Sequence, residues 1–264
     1  MTDLNPQNLE KYLATFATVP GYFTKEAMIA WDFFLSTQNR YPITGHFLEI
    51  GVLEGKSALL AALHLKQEEQ AVLVDINPCE AAIARLTKIK PDGVKFVQKY
   101  SHEIKRDVIV SSLAGTFRFI HVDGDHSGFN VFADLALASS LLKENGVICM
   151  DDFFNPIYPQ ATAAIYRYLF SNPMDLRMVL CGGNKCFLVK ASAYRIYENL
   201  IRQYFLPHAA SYGAQLSLHK SSYAHDQGCF SMWTESDRKA FGLTFSPEDR
   251  RIVGIDQDNS DIVF

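Results

Sequence analysis

The stretch His46-Phe-Leu-Glu-Ile-Gly-Val-Leu-Glu-Gly-Lys-Ser57 decides the fold of this chain. Its first half is a short apolar run that stops at Gly51 without alternating polar and apolar residues, as a strand buried on both faces does. Gly51 and Gly55 allow a sharp turn and a close approach to a ligand, since neither carries a Cβ. Ser57 is placed to cap a helix over Ala58–Leu65, whose free N–H groups would point at whatever lies over the turn. Strand, glycine turn and helix together predict an open α/β sheet with a nucleotide-like cofactor at the carboxyl end of its first strand.

Spacing discriminates among cofactors. A dinucleotide fingerprint, G-x-G-x-x-G, uses its second glycine to let a pyrophosphate reach the backbone. Leu53 stands at that place, and its side chain would crowd the phosphates. Glu49 and Glu54 are ill-suited to a dianionic ligand and well suited to a cation. S-adenosylmethionine carries a sulfonium and an ammonium and no phosphate, so E-x-G-x-x-x-G fits it better. The plainer alternative is a strand–turn–helix with incidental glycines, because short glycine motifs also match by chance.

Composition sets the outer bounds. A chain of 264 residues, 48% hydrophobic and 20% charged, can bury a full core, and one domain with appendages is expected. The formal charge of −4 gives no footprint for nucleic acid or an anionic membrane. Five scattered cysteines without a C-x-x-C pair argue for a reducing compartment and against structural zinc. With no secretory leader and no apolar run of bilayer length, a cytoplasmic protein is expected.

Three segments follow from the pattern. Residues 1–45 read as an N-terminal helical segment: Asn5-Pro6 opens a helix through Phe16, Pro20-Gly21 breaks it, and Thr24 starts a second helix through Phe34. Its many aromatics are expected to pack the segment onto the sheet, with Tyr22 or Phe23 in a substrate-pocket wall as the alternative. Residues 46–190 alternate strand and helix, which predicts a parallel sheet with right-handed crossovers. Residues 191–264 read as a helix over Ala191–Tyr204 and an extension serving as lid or subunit contact. In that extension Ser246-Pro247-Glu248-Asp249 is a helix start, and Tyr223, Phe230, Trp233 and Phe264 are its aromatics.

Within 46–190, each strand ends in chemistry. Ala71-Val-Leu-Val-Asp75 ends in a carboxylate placed either to accept from ribose hydroxyls or to serve as a turn residue before a helix from Pro78. Val94–Val97 leads to Ser101, an N-cap or an adenine contact. Phe117–Val122 runs into Asp123-Gly-Asp-His126, and Gly146–Met150 into Asp151-Asp152. If these two strands are neighbours, Asp123, Asp151 and Asp152 converge. Three carboxylates so placed repel one another unless protonated or bridged by a cation. All-oxygen ligands favour a hard ion, magnesium first and manganese next. His126 is a candidate general base, whereas His121 and His46 read as core histidines with satisfied partners.

The combination of Pro20-Gly21, Phe47–Ser57, Ile120–His126 and Val147–Phe153 resembles class I S-adenosylmethionine-dependent methyltransferases. More narrowly, it resembles the group containing the macrocin and mycinamicin sugar O-methyltransferases and the cephalosporin-pathway protein CmcI. The resemblance covers about residues 18 to 190, and the Asp123–His126 motif is its specific part. It implies a Rossmann-like sheet of seven strands that ends in an antiparallel hairpin, matched by the pattern of 178–190. It implies magnesium on Asp123, Asp151 and Asp152 and a catalytic pair of His126 and Asp123. More distantly, catechol O-methyltransferase has an adenine-contacting serine that matches Ser101. The expected cofactor residues are therefore Glu49, Gly51, Gly55, Ser57, Asp75, Ser101 and Asp123. The reading is a magnesium-dependent O-methyltransferase, a homo-oligomer, acting on a small-molecule hydroxyl in natural product biosynthesis. A metal-independent N- or O-methyltransferase and a non-enzymatic cofactor-binding protein are the alternatives.

Overall fold

The structure, a computed structural model, describes residues 7–220, 228–240 and 242. The expected start at Asn5-Pro6, the aromatics Tyr223 and Phe264, and the helix start at Ser246-Pro247-Glu248-Asp249 lie outside the described residues. Two helices, α1 (Gln7–Phe16) and α2 (Lys25–Arg40), precede an alternation of strands and helices. This runs β1 (His46–Ile50), α3 (Lys56–His64), β2 (Ala71–Asp75), α4 (Glu80–Ile89) and β3 (Val94–Gln98). A 3₁₀ turn over Ser101–Arg106, α5 (Val108–Ser112), β4 (Phe117–Val122), α6 (Gly128–Leu141), β5 (Leu142–Asp151) and α7 (Pro159–Ser171) follow. The hairpin β6 (Leu176–Gly182) and β7 (Lys185–Lys190) precedes α8 (Tyr194–Leu200), α9 (Leu206–Ser211), the strands β8 (Leu216–Lys220) and β9 (Phe230–Thr234), and α10 (Glu235–Ala240).

The sheet order is β3-β2-β1-β4-β5-β7-β6-β9-β8, with β1 to β5 parallel and β7 antiparallel to both of its neighbours. This is the Rossmann-like arrangement expected, with one correction: the described sheet has nine strands rather than seven. The extension supplies the other two, β9 pairing parallel with β6 and β8 closing the edge. Both strands are short and only partly buried, so their apolar signal is weak. The helix expected over Ala191–Tyr204 is also broken, passing through a π turn at Ile201–Phe205. Pro207 offers no N–H to the carbonyl one turn back, which accounts for the widened turn before it.

Alternation along the strands divides the core between two faces. Phe47, Phe119, Val147 and Cys149 face α2 and α3, while Leu48, Ile120, Ile148 and Met150 face α6 and α7. On the first face Trp31 is fully buried, its ring centroid 4.8 Å from those of Phe119 and His121 and its Nε1 donating to Cys149 Sγ at 3.3 Å. The N-terminal aromatics are thus mostly packing. Among the described residues no helix is long and apolar enough to cross a membrane.

A buried acid ties α2 to the extension. Asp32 is fully buried, with His64 Nε2 at 2.9 Å, His208 Nε2 at 3.0 Å and Tyr212 donating at 2.8 Å. Burial alone would raise its pKa, but the two histidines hold it down at about 2. A depressed folded pKa contributes stability above the unfolded value, near 3.8, and that contribution is lost as pH falls toward 2. Thermal midpoints measured from pH 6 to 2 should fall steeply below pH 4. In Asp32→Asn this acid limb should be shallower by roughly 2 kcal/mol; an unchanged limb would show that other carboxylates govern it.

Candidate functional site

The parallel strands reverse order between β1 and β4, and the loops after β1, β2, β4 and β5 emerge together at their carboxyl ends. In such sheets this crevice is the ligand site. A cavity of about 500 Å³ opens there, its wall including Gly51, Asp75, Tyr100, Ser101, Asp123 and Asn130.

Asp75 organises one side. Its Oδ2 accepts from the N–H groups of Val52 (2.8 Å) and Leu53 (3.4 Å), and its Oδ1 accepts from Asn77 N (2.8 Å). Burial would raise this carboxyl, and the backbone donors outweigh it, leaving the pKa below the ordinary value. Gly51 takes φ +85°, and a Cβ there would lie 1.9 Å from the carbonyl oxygen of Asp123. No other residue allows the β1 and β4 loops to meet.

Several expected cofactor residues have other partners. Gly55, at φ +75°, is itself the N-cap of α3, and a Cβ there would come within 2.9 Å of Ala82 Cβ, so its smallness serves the packing of α3 on α4. Ser57 is therefore not the cap; its hydroxyl donates to Glu49 Oε1 at 2.5 Å. Glu49 is fully buried beneath the turn, the same oxygen also meeting His121 Nδ1 at 2.7 Å. Ser101 lies in the cavity wall, and the residue capping the turn is Tyr100 rather than Ser101. Asp123 lies in the same wall, where the cavity meets the acids.

The acids do not surround one point. Two sets of side chains bring candidate ligand atoms within 4.8 Å of one another: His121, Asp123 and Asp151, and Asp123, His126 and Asp152. Asp123 belongs to both, and a histidine completes each. Asp151 already has a cation. The ammonium of Lys185, a residue 2% exposed, pairs with Asp151 Oδ2, and His121 Nε2 lies 3.4 Å from the same oxygen. Burial would raise the Asp151 carboxyl, but Lys185 and His121 pull it well below the usual range. Burial would lower His121, but the carboxylates of Asp151, 3.4 Å from Nε2, and of Glu49, 2.7 Å from Nδ1, outweigh it and raise the imidazole to about 9. Asp123 moves the other way: burial, then the charge of Asp151, pushes it well above the ordinary value.

On the second set, His126 Nδ1 lies 2.8 Å from Asp152 Oδ2, and its ring stacks on Tyr158 with centroids 4.2 Å apart. Asn155 and Asn184 donate to Asp152 Oδ1 at 2.6 and 3.0 Å. Asp152 takes φ +57°, a left-handed backbone uncommon for a residue with a Cβ, held by these contacts. Phe23 is buried, its ring centroid 5.6 Å from the Lys185 ammonium, while Tyr22 is 99% exposed.

Sequence reasoning missed Lys185 and Asn184, and placed His121 in the core without naming its partners. A histidine inside an otherwise apolar central strand was a signal, because it needs a charged or polar partner from a neighbouring strand. Lys185 depends on register: it pairs opposite Asp151 across the antiparallel β5–β7 ladder.

Residues 48–153 match a family model described as a methyltransferase domain. The matched stretch carries the parallel strands up to β5 and all three acids, and the cavity wall lies within it. Over 117 residues the chain is 26% identical to "Probable caffeoyl-CoA O-methyltransferase 2" of Dictyostelium discoideum, a match spanning 40% of this chain and 46% of that protein. The chain thus spans about half the length of that curated relative. Among solved structures it is similar to cofactor-bound Rv0187 from MTB, at 20% identity and TM-score 0.50, covering 70% of this chain and 90% of that one. It is also similar to the S-adenosylhomocysteine-bound methyltransferase PaMTH1 of Podospora anserina, at 19% identity and TM-score 0.49, covering 72% and 88%. At 20% identity the likeness to Rv0187 speaks to fold alone.

Proposed function

We propose that this chain is an S-adenosylmethionine-dependent O-methyltransferase that acts, with magnesium or manganese, on a hydroxyl of a small molecule. One observation carries the reading: a cavity of about 500 Å³ has Ser101, Asp75 and Asp123 in its wall, and Asp123 also belongs to both sets of acids and histidines. The domain match supports the enzyme class, and the relative named for caffeoyl-CoA supports oxygen as the acceptor atom. The narrower likeness to the macrocin and mycinamicin group rests on the Asp123–His126 motif and makes a sugar or other polyol one acceptor class to test beside catechols.

In this reading Asp75 accepts from the ribose hydroxyls, and the Gly51 turn keeps its backbone flat beneath the cofactor. S-adenosylmethionine, when bound, supplies an electrophilic methyl. The residues fit a divalent cation on one count of charge. Glu49 pairs with His121 and Asp151 with Lys185, which leaves Asp123 and Asp152 as two acids on one histidine. Asp123 and Asp152 would hold the cation, which when bound lowers the pKa of a ligated hydroxyl. Asp151, expected as a third ligand, pairs with Lys185 and stands with Asp123 and His121 in the other set. His126, oriented through Nδ1 by Asp152, has Nε2 left to take the hydroxyl proton, and the loops position the oxygen for in-line attack.

A second reading has its own observation. Lys185 beside Asp151 supplies one positive charge without any metal, which favours a metal-independent transferase. Calorimetric titration with S-adenosylhomocysteine, followed by transfer assays on sugar, polyol and catechol acceptors with and without EDTA, separates the readings. Transfer abolished by EDTA and restored by magnesium is expected; transfer that survives EDTA selects the second reading. Tight cofactor binding with no transfer to any acceptor class would leave only a binding role. The expected homo-oligomer is part of the same proposal, and size-exclusion chromatography tests it.

A further inference from the structure

The five cysteines are scattered along the chain, yet the fold gathers three of them on one face of neighbouring strands. Cys186 on β7 pairs opposite Cys181 on β6, and Cys229 stands immediately before β9, which pairs with β6. The β6–β9 ladder joins Leu180 to Phe230 and Cys181 to Ser231, so Cys229, two residues before Ser231, shares the face of Cys181. Cys181 Sγ and Cys229 Sγ, both in the thiol state, lie 3.9 Å apart. The backbone around each is held in place. The Tyr194 hydroxyl donates to the carbonyl of Gly228, and a Cβ on Gly182 would come within 2.5 Å of the Met232 carbonyl oxygen on β9. Cys181 is buried, and Cys229 is partly exposed.

Cys79 and Cys229 are the partly exposed thiols, and their surroundings differ. Burial, then the charge of Asp75, pushes Cys79 up to about 12. Cys229 moves the other way: the S–H of Cys181 donates to its sulfur and outweighs burial, leaving its pKa below the ordinary value. The thiolate is the form that attacks an oxidant. We propose that Cys181 and Cys229 are a peroxide-sensitive pair whose disulfide ties the extension to the strand leading into Asn184 and Lys185. The Cys229 sulfur attacks one peroxide oxygen, the O–O bond breaks, and the departing hydroxide takes up a proton and leaves as water. The Cys181 sulfur then attacks the sulfenic acid so formed. The S–S bond forms, the S–O bond breaks, and the Cys181 proton leaves with the hydroxyl as a second water. Two electrons pass from the sulfurs to one hydrogen peroxide. The β6–β9 ladder is short, so the link holds β9, and β8 beyond it, on the sheet edge. It also fixes β6 directly ahead of Gly182-Gly-Asn-Lys185, from which Asn184 and Lys185 reach Asp152 and Asp151. The inference stands independently of the reaction proposed above.

The test treats the full chain with hydrogen peroxide at neutral pH, alkylates the remaining thiols with iodoacetamide, and maps tryptic peptides without reduction. Trypsin separates the three cysteines, placing Cys181 in 178–185, Cys186 in 186–190 and Cys229 in 221–238. A link between 178–185 and 221–238, reversed by dithiothreitol, is the expected product. The bridge closes a span of 48 residues, so the oxidised chain should melt about 5 °C or more above the reduced one. Cys229→Ser, at a partly exposed position, should lose the link and the gain, while its reduced form melts within about 2 °C of the unmodified chain. Cys181→Ala carries the same test if Cys229→Ser does not fold. A link from Cys181 to Cys186, a link found only between two chains, or peroxide carrying Cys229 on to a sulfinic acid in place of a link overturns the inference. Full alkylation of Cys181 and Cys229 after peroxide does the same. So does the expected link with no gain in midpoint, which would show that the extension is held on the sheet equally well without it.

Discussion

Replacing His126 with Ala should reduce turnover by about 10²–10⁴-fold, the range expected for loss of a positioned general base, and leave S-adenosylhomocysteine affinity within about twofold. The argument is geometric. Asp152 holds Nδ1 at 2.8 Å, and Tyr158 stacks on the ring 4.2 Å away, so among the described residues the imidazole has one nitrogen committed and one free. Neither contact involves the cavity wall near Asp75 or Ser101, which is why cofactor binding should survive. Single-turnover transfer with the cofactor prebound reads the step directly. His126→Ala with turnover near that of the unmodified chain would place the proton acceptor elsewhere. Asp152→Asn adds a second readout, since it keeps an oxygen for the imidazole while weakening the acid pair. Its turnover should fall less than that of His126→Ala at saturating magnesium and more when magnesium is scarce.

The parts of this site that could be read from sequence are those fixed within one strand–loop unit. His46–Ser57 announced a buried strand and a tight bend because glycine spacing and apolar run lie side by side in the chain. The same holds for Asp75, Asp123 and the Asp151-Asp152 pair, each at the end of an apolar run in neighbouring parallel strands. What could not be read depends on contacts between distant segments. Gly55 looked like a ligand-facing glycine, but its neighbour is Ala82 of the next helix, and nothing in the motif distinguishes the two uses. Ser57 looked like a cap, and became the partner of Glu49 once Gly55 took the capping position. His121 was assigned to the core, and it is buried; its partners, Glu49 on β1 and Asp151 on β5, become visible only when three strands are laid side by side. The extension escaped because strands that cover a sheet edge on one side carry little periodic signal.

Lys185 supports the second large prediction. Lys185→Met should lower stability by roughly 3–5 kcal/mol, the usual effect of removing one partner from a buried ion pair, seen as a fall in thermal midpoint on the order of 10 °C. The ammonium is almost inaccessible and paired with Asp151, while Asp123 stands in the same cluster, so the variant leaves two close carboxylates with only His121 to offset them. If charge is the cause, the double variant Lys185→Met/Asp151→Asn should recover more than half of the loss, because the unpaired acid has gone too. A double variant as unstable as the single one would mean that Lys185 matters through packing against Phe23 instead. The same proteins bear on the metal. With the ammonium removed, Asp151 joins Asp123 as an uncompensated acid, so millimolar magnesium or manganese should raise the midpoint of Lys185→Met more than that of the unmodified chain. A cation effect equal in both would overturn this and indicate that Lys185 and the divalent ion act on different acids. A larger effect in the variant would show that the lysine occupies ground a metal could hold, and that this chain has given half of its acid cluster a permanent cation.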